Sequence, residues 1–131
     1  WLVEKQIILT RSIGDQTIAS IEALINQTYE LYAAGDAPVH LIDDSRYVGK
    51  IPTNLSILKK MMTKPKNGGR VIIVGSNTLT KYMTTVLVQL TGAKQPVFCN
   101  SISEAIEFLK SIDSRLPDEI QVDQQIDIIQ S

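Results

Sequence analysis

Residues Gly68-Gly69-Arg70-Val71-Ile72-Ile73-Val74-Gly75-Ser76-Asn77-Thr78-Leu79 constrain the fold more than any other stretch of this chain. Two glycines break the chain and a four-residue apolar run follows. A Gly-Ser-Asn-Thr turn then opens an amphipathic stretch that ends at Thr91-Gly92. This order predicts a turn, a buried strand, a cap and a helix. A second unit follows at once, with Pro96-Val97-Phe98-Cys99, then Asn100-Ser101, then an apolar stripe from Ile102 to Ile112. Strands alternating with helices at this spacing predict an α/β fold, a mainly parallel sheet with helices packed on it.

The rest of the chain fits that frame. Leu2-Val3 and 6–11 read as two short strands about Glu4-Lys5, an antiparallel hairpin at the sheet edge. Thr17 is the expected N-cap of a helix, because its hydroxyl can accept a backbone N–H that the first turn leaves unbonded. Ile18, Ile21, Leu24, Ile25, Leu31 and Tyr32 follow at helical spacing, and Gly35 is the stop. Val39-His40-Leu41-Ile42 reads as a strand ending at Asp43-Asp44, with a loop from Ser45 to Pro52. Thr53 is placed to cap a helix carrying Leu55, Leu58, Met61 and Met62, which stops before Pro65. In the last helix, Ser101-Ile102-Ser103-Glu104 has the capping-box pattern ahead of Ile102, Ala105, Ile106, Leu109 and Ile112. The expectation is a sheet of four to five strands, an N-terminal antiparallel edge and four helices. Residues 114–131 differ: one arginine stands against four acidic residues, yet five β-branched apolar residues remain. A solvated linker does not need these. The expected organisation is a domain over 1–113 and an acidic-apolar extension docked on it or on a neighbouring subunit.

Composition narrows the function classes. A chain of 131 residues is one domain by the usual prior and buries enough surface to fold without disulfides or metal. A formal net charge of −1 gives no global reason to expect nucleic acid. One cysteine and one histidine do not make a Cys/His metal site, and Cys99 has no internal disulfide partner. No apolar run approaches the roughly 18 residues of a membrane span, and no signal-peptide pattern is seen. A cytoplasmic location is the expectation.

In a parallel sheet, ligands gather at the carboxyl ends of the strands. Three ends are polar: Asp43-Asp44-Ser45, Gly75-Ser76-Asn77-Thr78 and Asn100-Ser101. Helix N-termini favour anions, so Ser76, Asn77 and Thr78 are candidate anion or ligand contacts. Ordinary capping asks for the same residue types. Asp43 and Asp44 are adjacent in a strand, where side chains alternate, so they do not form an acid–base dyad. His40 lies inside a strand and reads as a satisfied, partly buried residue. No Ser/His/Asp set follows from spacing, and Gly75-Ser76-Asn77 lacks the glycines of a dinucleotide fingerprint. Lys59, Lys60, Lys64, Lys66 and Arg70 form a basic run, read as a solvated helix end.

The order of elements, together with Gly68–Val74, the helix closing at Leu90-Thr91-Gly92 and Ser101-Ile102-Ser103-Glu104-Ala105-Ile106, resembles a STAS domain, of the anti-sigma-factor antagonist superfamily. The resemblance covers roughly residues 6–112 and marks the chain as a divergent member. In that family a strand ends in Asp, and an Asp-Ser-Ser-Gly-Leu-type motif opens the next helix, its second Ser being a phosphorylation switch. Asp43 matches the strand-end Asp. Ile51-Pro52-Thr53-Asn54-Leu55 is similar to the motif, with Thr53 at the switch position. Ile51 and Pro52 replace the Asp and first Ser, and Asn54 replaces the Gly, so the switch is degenerate.

The resemblance implies a non-enzymatic regulatory or protein-interaction module. Its switch or partner-binding residues would be Asp43, Asp44, Ser45, Thr53, Asn54 and Ser56. The implied partner is a protein, of the kinase-like anti-sigma-factor type or a regulatory domain, and the reading admits a homodimer. No cofactor is implied. The alternative is a small-ligand sensor that holds a nucleotide or other anion at the polar strand ends. A receiver domain fits less well, because the last strand end, Cys99-Asn100, has no lysine and no acidic pair follows the first strand.

Overall fold

The computed structural model describes residues 1–54, 56–57, 60, 65–75, 81 and 94–122. Within them the chain forms β1 (Ile7–Gly14), α1 (Ile18–Ala34), β2 (Val39–Val48), β3 (Gly68–Val74), β4 (Val97–Cys99) and α2 (Ile102–Ile112). The strands make one sheet in the order β1-β2-β3-β4, and all three pairings are parallel. β1, β2 and β3 each contain an apolar run, 7–9, 41–42 and 71–74, as strands covered on both faces require. The two middle helices expected from the sequence lie outside the described residues, apart from Ser56, Ile57, Lys60 and Lys81, which are helical.

The N-terminal hairpin contracts to a single antiparallel bridge between Val3 and Ile7. Lys5 turns the chain there with a φ of 63°, and Leu2 and Val3 both donate to the Ile7 carbonyl.

The helix caps follow from local chemistry. The Thr17 hydroxyl accepts from Ser20 N–H at 3.1 Å, and the Ser20 hydroxyl accepts from Thr17 N–H at 2.9 Å. This is a reciprocal box with Ser in the place that Glu or Gln usually fills. Ser101 caps α2 by accepting from Glu104 N–H, but the Glu104 carboxylate reaches Asn100 N–H instead of Ser101. Asp113 ends α2, its N–H donating to the Leu109 carbonyl.

Paired residues of parallel strands share a face, so the register sorts the core. On one face Ile7, Ile42, Ile72, Val74 and Cys99 pack against Ile102, Ala105, Ile106 and Leu109 of α2. Leu116 joins this core, and Ile120 and Val122 pack on it. On the other face Ile8 and Val39 pack with Tyr32 of α1. Full burial of each Ile or Leu contributes about 1.5–3 kcal/mol. The α2 face therefore holds most of the described core.

Candidate functional site at the carboxyl end of the sheet

β1 and β2 are longer than expected. β2 does not end at Asp43-Asp44 but runs on through Ser45, Arg46 and Tyr47 to Val48, paired with β1 as far as Gly14. Asp44 is level with Val74, the last residue of β3, which is level with Cys99 at the end of β4. The two aspartates thus lie inside β2 but at the carboxyl edge of the sheet as a whole, and a two-stranded ribbon projects beyond them.

Asp43 and Asp44 face opposite ways. Asp43 shares its row with Thr10, Ile73 and Phe98 on the α1 face. It accepts from the Thr10 hydroxyl at 3.0 Å and the Ser45 hydroxyl at 3.4 Å. Burial pushes its carboxyl above the ordinary range, with the neighbouring Asp44 charge adding to the rise, and the two hydroxyls oppose it.

Asp44 lies on the α2 face and is fully buried. Burial alone would raise its pKa, but hydrogen bonds from Arg46 and Arg11 outweigh it and hold the carboxyl below the usual range. Arg11 reaches Oδ2 with Nε at 2.7 Å and Nη2 at 2.6 Å. Arg46 reaches Oδ1 with Nε and Oδ2 with Nη2, each at 2.9 Å, and its backbone N–H also donates to Oδ1. Between Arg11–Asp44 and Ile13–Tyr47 the register slips by one residue, so β2 carries a bulge at Ser45-Arg46. The bulge brings Tyr47 to the face of both arginines, whose guanidinium carbons lie 5.8 and 5.4 Å from its ring centre. Strict alternation would have sent Tyr47 to the opposite face. Arg11 and Arg46 escape sequence reasoning, because only the parallel register sets Arg11 beside Asp44. The presence of Arg46 two residues after Asp44 is the one local signal.

Ser45 is buried and bonded to Asp43, so it is spent inside the sheet. Thr53, Asn54 and Ser56 sit elsewhere, after the ribbon, and all three are exposed. Asn54, not Thr53, serves as the cap: its side-chain oxygen accepts from Ile57 N–H at 3.3 Å. Thr53 precedes the cap, because the loop spends one more residue before the helix than the motif alignment assumes. Ile57, on the first turn, is 40% exposed. The loop before Thr53 is tied down: Gly49 N–H donates to Gly14, Lys50 N–H to Asp15, and Gln16 N–H to the Lys50 carbonyl. The structure thus splits the expected site set. Asp43 and Ser45 are together, Asp44 is on the other face, and the Thr53 group is on the surface. Ser76, Asn77 and Thr78 lie outside the described residues. Of the basic run, Lys60 and Lys66 are exposed, while Arg70 turns inward over the Phe108 ring at 5.5 Å.

A second buried polar cluster lies at the amino end of the sheet. His40 is 3% exposed and bridges Arg70 N–H, at 3.0 Å from Nδ1, to Asp113 Oδ2, at 2.9 Å from Nε2. Nδ1 accepts there, so Nε2 carries the hydrogen and donates to Asp113. Arg115 holds the same carboxylate with Nε and Nη2 and donates to the carbonyls of Ala37 and Pro38. Those arginine bonds keep the Asp113 carboxyl well below its usual range. This set ties α2 to the start of β2. It is a fastening in which the imidazole, 3% exposed, is bonded at both nitrogens.

No protein-family model and no curated protein matches the chain. Among solved structures it is similar to an uncharacterized protein of the DUF3478 family from Shewanella loihica PV-4, which has a SpoIIAA-like fold. The two are 18% identical with a TM-score of 0.54, over 77% of this chain and 82% of that one. The fold of this chain is therefore SpoIIAA-like, an α/β architecture. No helix among the described residues is long and apolar enough to cross a membrane.

Proposed function

We propose that this chain is a non-enzymatic, STAS-type regulatory module that binds a protein partner through the surface after β2, with Thr53 as the residue whose modification releases that partner. The observation that carries this reading is the placement of Thr53. It is exposed, directly precedes the Asn54 cap, and stands beside the exposed Ile57. An apolar contact and a modifiable hydroxyl on one short segment suit a surface that must both hold and release a partner. The stapled Gly49-Lys50 loop keeps that segment in place in the free protein, so docking orders little.

The chemistry of release is electrostatic. A phosphate on Thr53 adds about −1.5 to −2 charges. The neighbouring N–H groups at the start of the helix tolerate that charge. A packed or acidic partner surface does not.

The test uses the protein purified from its native cells. Mass spectrometry looks for a stoichiometric partner and for phosphate on Thr53 or Ser56. Binding of that partner is then compared for the wild type, Thr53→Glu and Ile57→Asp. Both variants should keep the wild-type melting temperature and weaken binding at least about tenfold. Unchanged binding by both would overturn the reading.

A further inference from the structure

We propose that residues 123–131 dock on the α2 face of the β1–β2 ribbon, their acids toward Arg46 and Arg11 and their isoleucines toward Ile13 and Tyr47. The ribbon leaves the sheet at the level of Asp44, where β3 and β4 end, and runs on to Gly14 and Val48. Ile13 pairs with Tyr47 in the parallel register, so the two share a face. The guanidiniums of Arg11 and Arg46 flank the same tyrosine ring. Among the described residues, two guanidiniums thus meet the single carboxylate of Asp44, and this face of the ribbon carries a net positive charge. Ile13 is 45% exposed and the Arg46 side chain 21%. Lys50 and Asp15 stand together at the ribbon's tip, and their charges offset.

The described chain ends beside that face. α2 starts just past Cys99, at the carboxyl edge of the sheet, and runs back to Asp113, beside His40 at the amino edge. The segment after it climbs again. The Asp118 carbonyl accepts from Lys110 Nζ at 2.7 Å, and Val122 lines one cavity with Ser103, in the first turn of α2. Ile120 and Val122 pack on the same core as Leu2 and Leu9. By helical spacing, Ser103 and Lys110 lie on one flank of α2 and Phe108 on the other. Phe108 meets Arg70 of β3, so the flank that holds Asp118 and Val122 faces β1. Glu104 shares the Phe108 flank, and Asn100 N–H donates to its carboxylate. Val122 therefore delivers the residues that follow to the β1 side of the carboxyl edge, at the foot of the ribbon.

Residues 123–131 match that surface in charge and in apolar content. They hold Asp123 and Asp127, Ile126, Ile128 and Ile129, and no lysine or arginine. A solvated tail does not need three isoleucines. β1 runs three residues past Arg11, about 10 Å. Four residues of extended chain span about 13 Å, so Ile126 and the residues after it reach Ile13. The segment of the same molecule is the occupant, because its short tether at Val122 holds it at about millimolar effective concentration. The docking requires neither another protein nor a modified Thr53, so its failure leaves the function proposed above untouched.

A nitroxide spin label on the full chain tests it by NMR. Gln130→Cys sets the label in the segment, and Cys99 is buried, so the new thiol takes the label. The amide signals of Ile13 and Tyr47 should lose most of their intensity to the nearby spin. Those of Glu22 on α1 and Asp36 at the amino edge should keep theirs. Adding Asp123→Lys and Asp127→Lys to the labelled chain should restore Ile13 and Tyr47, because like charges then face the guanidiniums. A mixture of isotope-labelled chain without nitroxide and nitroxide-labelled chain without isotope should show no loss, since the contact is within one molecule. Full signals at Ile13 and Tyr47, an equal loss at Glu22, a loss that survives charge reversal, or a loss in the mixed sample would each overturn the proposal.

Discussion

His40 Nε2 lies 2.9 Å from Asp113 Oδ2, joining two residues 73 positions apart and closing α2 onto the first residues of β2. The pair is buried, and Arg115 holds the same carboxylate while bonding the Ala37 and Pro38 carbonyls. Asp113 thus serves three partners at once: an imidazole, a guanidinium and the Arg115 backbone N–H.

Removing that carboxylate leaves His40 with a buried donor and no acceptor. Asp113→Ala should cost about 3 kcal/mol in a urea melt. Arg115 is partly exposed, so its share of the pair is screened and Arg115→Ala should cost less. A loss for Asp113→Ala of under about 0.5 kcal/mol would mean that the cluster does not fasten α2.

Acid should unfold the protein through Asp44 and Asp113. Both carboxyls are held below their ordinary range by arginines, so the folded protein binds fewer protons than the unfolded chain. The stability they contribute is complete above the unfolded value near 4 and is lost as pH falls toward their folded values. The urea midpoint should drop below about pH 4, and Asp113→Asn should flatten that drop. An identical acid limb in the variant would contradict the assignment.

Asp43 has the opposite sign. Burial raises its pKa, so its charged form opposes folding, and stability falls as pH rises through the raised value. Asp43→Asn keeps an acceptor for Thr10 and removes the charge. Its melting temperature should exceed wild type at pH 7, with the gain vanishing near pH 4. A gain that does not change with pH would show that the charge is not the cause.

Gly69 has no room for a side chain. A Cβ there would lie 2.5 Å from His40 Nδ1 and 3.1 Å from Pro38 Cβ. Gly69→Ala should cost about 1–3 kcal/mol, because the His40 ring is held on both nitrogens and cannot move aside. Neutral behaviour in a thermal melt would mean that His40 is free to shift.

Ile106 is 6% exposed at the centre of the α2 contact. Ile106→Ala should cost about 2–5 kcal/mol, read from a urea melt. A negligible change would place the core of this face elsewhere.

The strand–helix alternation, the Thr17 and Ser101 caps and the apolar rows of β3 and α2 were legible in the sequence. Each rests on interactions within a few residues or on a period the chain itself carries. The end of β2 was misread because Asp43, Asp44 and Ser45 are polar, and polar residues after an apolar run look like a loop. They stay in the strand because β1 supplies Arg11 and Thr10 at matching positions. The Thr53 segment was found by motif, but its cap was misplaced by one residue, since Thr and Asn both serve as caps and only the backbone path selects between them.

By itself, the sequence determined the alternation of strands and helices, where α1 and α2 begin, and most of the α2 core stripe, of which Ile112 is instead 47% exposed. Only the tertiary structure decided which charges meet. The partners Arg11–Asp44 and His40–Asp113 lie 33 and 73 residues apart. Local periodicity carries no information about strand register, and register places those groups within reach of each other. The burial that makes their pairing matter arises only when the sheet and α2 close around them.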